Sequence, residues 1–179
     1  MLHFTCEKAL LNKTKTLKEL SLSGCENLSN NFMGKLNLER LEQLNVSSSN
    51  ITAKSLAALL AKSTCLKILD LNNTSIRFDT IINKINIPNL EFLLLEGANI
   101  KLKNLPAVLE KASGLKNIIL SGVTNQTYHK LKFDKCLSLT TMEIKNSDIS
   151  SKQILELLKL KNLNKLSLEM VAWPKTHPF

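Results

Sequence analysis

The sequence predicts an α/β chain wound as a right-handed solenoid, a horseshoe. Its concave side is a parallel sheet of about seven strands, and its convex side mixes helix, 3₁₀ helix and loop. Three observations predict it. A block of the form L-x-x-L-x-L, with leucine or an equivalent at each apolar place, recurs seven times. The first positions of the blocks are 24, 25, 24, 25, 24 and 24 residues apart, too regular for chance. Each block is also too short to bury its own leucines, so neighbours must stack about 4.8 Å apart into one continuous sheet.

The blocks are Leu17-Leu20-Leu22, Leu41-Leu44-Val46, Leu66-Leu69-Leu71, Leu90-Leu93-Leu95, Leu115-Ile118-Leu120, Leu139-Met142-Ile144 and Leu163-Leu166-Leu168. Alternation across L-x-L makes a half-buried strand, leucines inward and intervening residues outward. Three residues after each block stands a small or apolar residue: Cys25, Ser49, Thr74, Ala98, Val123, Ser147, Val171. There the chain turns away from the strand. In four repeats a further apolar residue follows, at Ile51, Ile76, Ile100 and Ile149.

The connections differ among themselves. Thr52 and Ser55 precede a helical stripe of Leu56, Leu59 and Leu60. Leu102, Leu105 and Leu109 repeat that spacing, with Pro106 near the start of the helix, where its missing N–H is harmless. Ser150 or Ser151 caps a helix carrying Ile154, Leu155 and Leu158. Segments 35–38, 84–87 and 130–133 share a Lys-apolar-polar-apolar pattern, preceded by Phe32, Phe78 and Tyr128, and read as less cleanly helical.

The repeats resemble the leucine-rich repeat family, in a short-repeat form, over roughly residues 2–173. Leu20-Ser21-Leu22-Ser23-Gly24-Cys25 is similar to the cysteine-containing type of F-box-associated and ribonuclease-inhibitor-like proteins. We read residues 1–179 as one domain: a half-repeat cap at 2–16, seven strand-bearing repeats at 17–168 and a C-terminal cap at 169–179. The half-repeat follows from Ala9 to Leu17, which lines up with Ala58 to Leu66.

Composition narrows the function. Five glycines, four prolines and 44% hydrophobic residues exclude collagen-like and low-complexity classes. No uncharged apolar run reaches the length of a membrane span. Glu7 and Lys8 interrupt the first apolar stretch, which argues against a secretory signal. Cys6, Cys25, Cys65 and Cys136 form no C-x-x-C pair and have no histidine at ligand spacing. We read the thiols as reduced and the protein as intracellular and cytoplasmic, or in a host cytoplasm if it is a secreted effector.

Catalysis is not expected. His3, His129 and His177 share no spacing, and a Cys136–His129 pair has nothing to orient it. The phosphate-loop, dinucleotide, nucleophile-elbow and zinc-helix motifs are all missing, so no cofactor or metal is expected.

Binding is the remaining class, and in this architecture the outward strand residues can vary without disturbing the core. Most are polar. Ile68, Phe92, Leu94 and Ile119 are not, and they fall on three consecutive strands with Asp70, Asn72, Glu91 and Glu96 around them. An apolar centre with a polar rim is the anatomy of a protein-binding surface. The net charge of +9 lies elsewhere: with the flanking positions, the concave face carries five lysines against seven carboxylates, or −2, leaving +11 for the rest. A nucleic acid along the sheet would need a basic track with stacking aromatics and is not expected there; the basic convex side is where one would dock.

The expected function is a non-enzymatic protein–protein interaction module that holds its partner on the concave face. The resemblance implies two specific versions, a substrate-recognition arm like those of F-box ubiquitin ligases or an effector of an intracellular bacterium. The alternative is a structural subunit of a large (ribonucleo)protein assembly, docked through its basic convex side.

Overall fold

The computed structural model describes residues 14–26, 28, 30–85, 87–98, 104–123 and 137–170. Each leucine block gives one strand: β1 (Glu19–Ser21), β2 (Gln43–Asn45), β3 (Ile68–Asp70), β4 (Phe92–Leu95), β5 (Asn117–Ser121), β6 (Thr141–Lys145) and β7 (Lys165–Glu169). They form one parallel seven-stranded sheet in sequence order. The fold is an α/β leucine-rich-repeat solenoid. The middle apolar residue of each block sits beside its equivalent, Leu20 to Leu44, Leu69, Leu93, Ile118, Met142 and Leu166. In-register stacking follows from the period: with the side chains alternating in and out, a one-residue slip would turn every leucine to solvent.

Two backbone devices repeat with the leucines. At the N-terminal edge of the sheet one carbonyl accepts two successive N–H groups of the next repeat; the Lys18 carbonyl takes Glu42 at 2.7 Å and Gln43 at 2.9 Å. Glu42, Lys67, Glu91, Lys116 and Thr140 do the same for the strands that follow. At the other edge each repeat has one residue at positive φ: Gly24, Ser48, Asn73, Gly97, Gly122, Asn146 and Met170. Left-handed backbone suits glycine and, less well, asparagine. Gly97 needs it twice over, because a Cβ there would also collide with the Asn73 amide oxygen.

The core is the stacked leucines. Every block residue from Leu41 to Ile144 is buried, whereas Leu17, Leu20, Leu22, Leu163, Leu166 and Leu168 are half-buried. The difference is geometric, since among the described residues β1 and β7 each have a strand neighbour on one side only. The small position works by closing its own hydrogen bonds. Ser49 Oγ donates to the Val46 carbonyl at 2.6 Å and Thr74 Oγ1 to the Leu71 carbonyl at 2.8 Å, so both hydroxyls are buried without loss.

Behind the sheet lie helices α1 (Asn30–Lys35), α2 (Ala53–Leu60), α3 (Leu105–Lys111) and α4 (Ser151–Leu157), with two 3₁₀ turns at Phe78–Thr80 and Ile82–Lys84. Thr52 caps α2 by accepting the Ser55 N–H at 3.1 Å, and Leu56, Leu59 and Leu60 are buried as their spacing predicts. The connection preceding β4 is 3₁₀ rather than α, with Phe78 wholly buried.

The stripe expected on the last helix needs correction. Ser150 is its cap, but Leu155 and Leu158 are 60% and 58% exposed, and the inward residues are Gln153 and Leu157 with Ile154 half-buried. A buried glutamine is tolerable because its Oε1 accepts from the Ser150 N–H and hydroxyl, both at 2.9 Å.

Several sequence readings fall outside the described residues: positions 2–13 of the N-terminal half-repeat, Ile100, Leu102, Tyr128, segment 130–133, and residues 171–179 of the C-terminal cap with Val171. Cys6, Cys136, His3, His129 and His177 lie outside them too. Cys25 and Cys65 carry free thiols.

Candidate protein-docking face

The open face of the sheet, opposite the helices, takes its character from the outward residue of each strand. Ile68 on β3 sits beside Phe92 on β4, Phe92 and Leu94 share one face of β4, and Leu94 sits beside Ile119 on β5. The four apolar side chains therefore make one contiguous diagonal across three strands. Phe92 is 39% exposed, and Ile68, Leu94 and Ile119 are half-buried.

The four polar residues expected around the patch turn out to differ in what they are free to do. Asn72 is committed to the backbone: its side-chain oxygen accepts the Glu96 N–H at 2.7 Å, tying two repeats together. Glu91 stands at the N-terminal edge and pairs with Lys116 at 2.9 Å. Glu96 lies 3.9 Å from the Lys145 ammonium. Of these four, only Asp70 keeps a carboxylate without an ion-pair partner among the described residues; one oxygen accepts the Asn72 N–H at 2.9 Å, which fixes the group in place.

The N-terminal edge is a ladder of alternating charge, Lys18, Glu42, Lys67, Glu91, Lys116, one rung per repeat. Glu42 bridges Lys18 at 2.9 Å and Lys67 at 2.7 Å. The hydrogen bonds from Lys67 and Lys18, reinforced by the attraction of both ammonium groups, hold its carboxyl down from the usual 4.5 to about 2. The same contact, hydrogen bond first and attraction second, raises Lys67 above the ordinary lysine range. Both carboxylates of this edge are paired.

The carboxylates of the C-terminal half of the open face are paired as well. Lys145 on β6 lies 3.9 Å from each of three carboxylates, Glu96, Glu143 and Glu169, and Lys165 adds a 3.1 Å contact to Glu143. Glu96 and Lys145 flank Ser121, so their contact passes over it. Ser121, an outward position by alternation that sits beside Lys145, is buried.

Sequence reasoning missed the extent of the face. A groove of ≈ 460 Å³ runs from Ile68, Asp70 and Leu94 toward the first strands, over Gln43, Asn45, Ser21 and Glu19. Glu19 accepts a hydrogen bond from Gln43 Nε2 at 3.1 Å and, like Asp70, has no ion pair among the described residues. The signal was present in the outward positions of β1 and β2, but polar residues on a solvated strand do not announce a groove. Among the described residues no group of three or more histidine, cysteine or acidic side chains is placed to hold a metal ion. No helix among them is long and apolar enough to cross a membrane.

No protein-family model matches the sequence, and no curated protein matches it. Solved structures do match. An internalin C2 from Listeria monocytogenes superposes with a TM-score of 0.57 at 17% identity, over 94% of this chain and 78% of that one. An internalin (inlF) from the same organism superposes with a TM-score of 0.60 at 18% identity, over 95% of this chain. The chain spans only 56% of that second structure. At such identity the likeness speaks for the fold.

Proposed function

We propose that the protein is a non-enzymatic protein-interaction module that holds a partner on the open face of its sheet. The observation that supports this most strongly is the contiguous apolar diagonal of Ile68, Phe92, Leu94 and Ile119 on a face that is otherwise polar. Those four side chains are the anchors, and Asp70 is the polar group that orients the partner. Asn72, Glu91 and Glu96 border the site and act through the backbone tie and ion pairs that hold its frame.

Both specific versions that the resemblance implies, a substrate-recognition arm like those of F-box ubiquitin ligases and an effector of an intracellular bacterium, would use such a face. The cysteine-containing, ribonuclease-inhibitor-like subclass rests on Cys25 alone, as the other described small positions are Ser49, Thr74, Ala98, Val123 and Ser147.

The test is capture of partner proteins from the source cell by wild type, by the double variant Phe92→Ser/Leu94→Ser, and by Lys54→Glu/Lys111→Glu on the helical side. The first double variant is expected to lose its specific partner while its melting curve stays close to wild type, since neither side chain is in the core. Retained capture there with loss in the lysine variant would instead favour a subunit docked through the basic back.

A further inference from the structure

The groove over β1–β4 sets two carboxylates without ion pairs, Glu19 and Asp70, beside an apolar patch. We infer that its occupant is an extended segment of another protein in which an apolar side chain is flanked by lysine or arginine. This rests on the docking function proposed above and names the chemistry of the partner.

Charge complementarity selects that occupant. Every other acidic group on the face has a cation: Glu96, Glu143 and Glu169 gather around Lys145. Glu19 and Asp70 have only neutral donors, the Gln43 amide and the Asn72 N–H. Burying them under a neutral or acidic partner would strip their water and return nothing, a penalty that rises as the local dielectric falls. An arginine or lysine would restore the lost hydration with a charge-assisted hydrogen bond. Asp70 is also held in orientation by its bond to Asn72, so little side-chain freedom is lost when a cation arrives.

The geometry sets a spacing. Asp70 lies beside Asn45, which lies beside Ser21. Glu19 is therefore two strand spacings across and two residues along from Asp70, about 12 Å, the length of three to four residues of extended chain. One basic residue reaches Asp70, a second three or four places away reaches Glu19, and an apolar residue beyond the first lies on Ile68, Phe92 and Leu94. A polyanion such as RNA would meet two uncompensated negative charges here.

A random dodecapeptide library displayed on phage, selected against the immobilised full chain, tests this. Winners are then measured by fluorescence anisotropy against wild type, Asp70→Asn, Glu19→Gln and Phe92→Ser/Leu94→Ser at low and high salt. Enrichment of lysine or arginine near leucine, isoleucine or an aromatic residue is expected. Affinity should fall about fivefold in Asp70→Asn and more than about tenfold in the apolar double variant, and should weaken in salt. Acidic or uncharged winners that still lose affinity in the double variant would overturn the basic-segment inference and leave the docking function standing. Winners indifferent to every variant, or no winners, would overturn both. Sedimentation of the free protein covers the remaining occupant: a concentration-dependent dimer abolished by Phe92→Ser/Leu94→Ser would put a second copy of the chain in the groove and overturn the inference.

Discussion

The two halves of the open face share one scaffold and one register yet treat charge in opposite ways. From the C-terminal end of β4 across to β7, Lys145 and Lys165 answer Glu96, Glu143 and Glu169, and each carboxylate has a cation within 4 Å. From β1 to β4, Glu19 and Asp70 are left with neutral donors beside exposed apolar side chains. Pairing distinguishes the halves: it separates carboxylates that help hold the frame from the two that keep no cation.

The largest effect expected of a single substitution falls on what the halves share. Leu93→Ala removes a wholly buried side chain from under the middle strand and should destabilise the protein by about 3 kcal/mol in urea titration. A loss below about 1 kcal/mol would mean that the leucine stack is not the common support of both halves.

A smaller effect sharpens the contrast itself. Lys145→Met leaves three carboxylates converging on an apolar side chain and should lower stability by about 1 kcal/mol at low salt, with recovery as salt screens the repulsion. Asp70→Asn, in the other half, should leave the melting temperature unchanged. Equal responses to the two substitutions would erase the distinction between a paired and an unpaired half.

The smallest effect is a pH dependence at the N-terminal edge. Glu42 is held to about 2 against an ordinary 4.5, so its ion pairs stabilise the fold above the ordinary value and are lost as pH falls from 4.5 toward 2. Glu42→Gln should flatten the stability profile over that window in acid titration followed by circular dichroism. Identical profiles for variant and wild type would remove the ladder from the list of stabilising features.

Much of this was legible in the sequence. The leucine period predicted the strands, their order and the inward faces, because stacking neighbours leave one register that buries every leucine. Ile68, Phe92, Leu94 and Ile119 were equally readable, since alternation alone places them outward. What alternation cannot give is which polar residue is already occupied. Asn72 and Asp70 look alike as outward polar positions, yet one is bound into the backbone and the other keeps a free oxygen. The face of α4 was misread for a related reason: Ile154, Leu155, Leu157 and Leu158 offer two overlapping stripes, and the capping role of Gln153 decides between them. The charge ladder, by contrast, was written in the sequence at intervals of 24 and 25 residues, Lys18, Glu42, Lys67, Glu91, Lys116.

The most direct test of the docking face is site-specific photocrosslinking in the source cell, with a photoreactive side chain placed at position 94 in one variant and at position 54 on the helical side in another. Polypeptide adducts from position 94 and none from position 54 are the expected result. Adducts confined to position 54 would contradict the account.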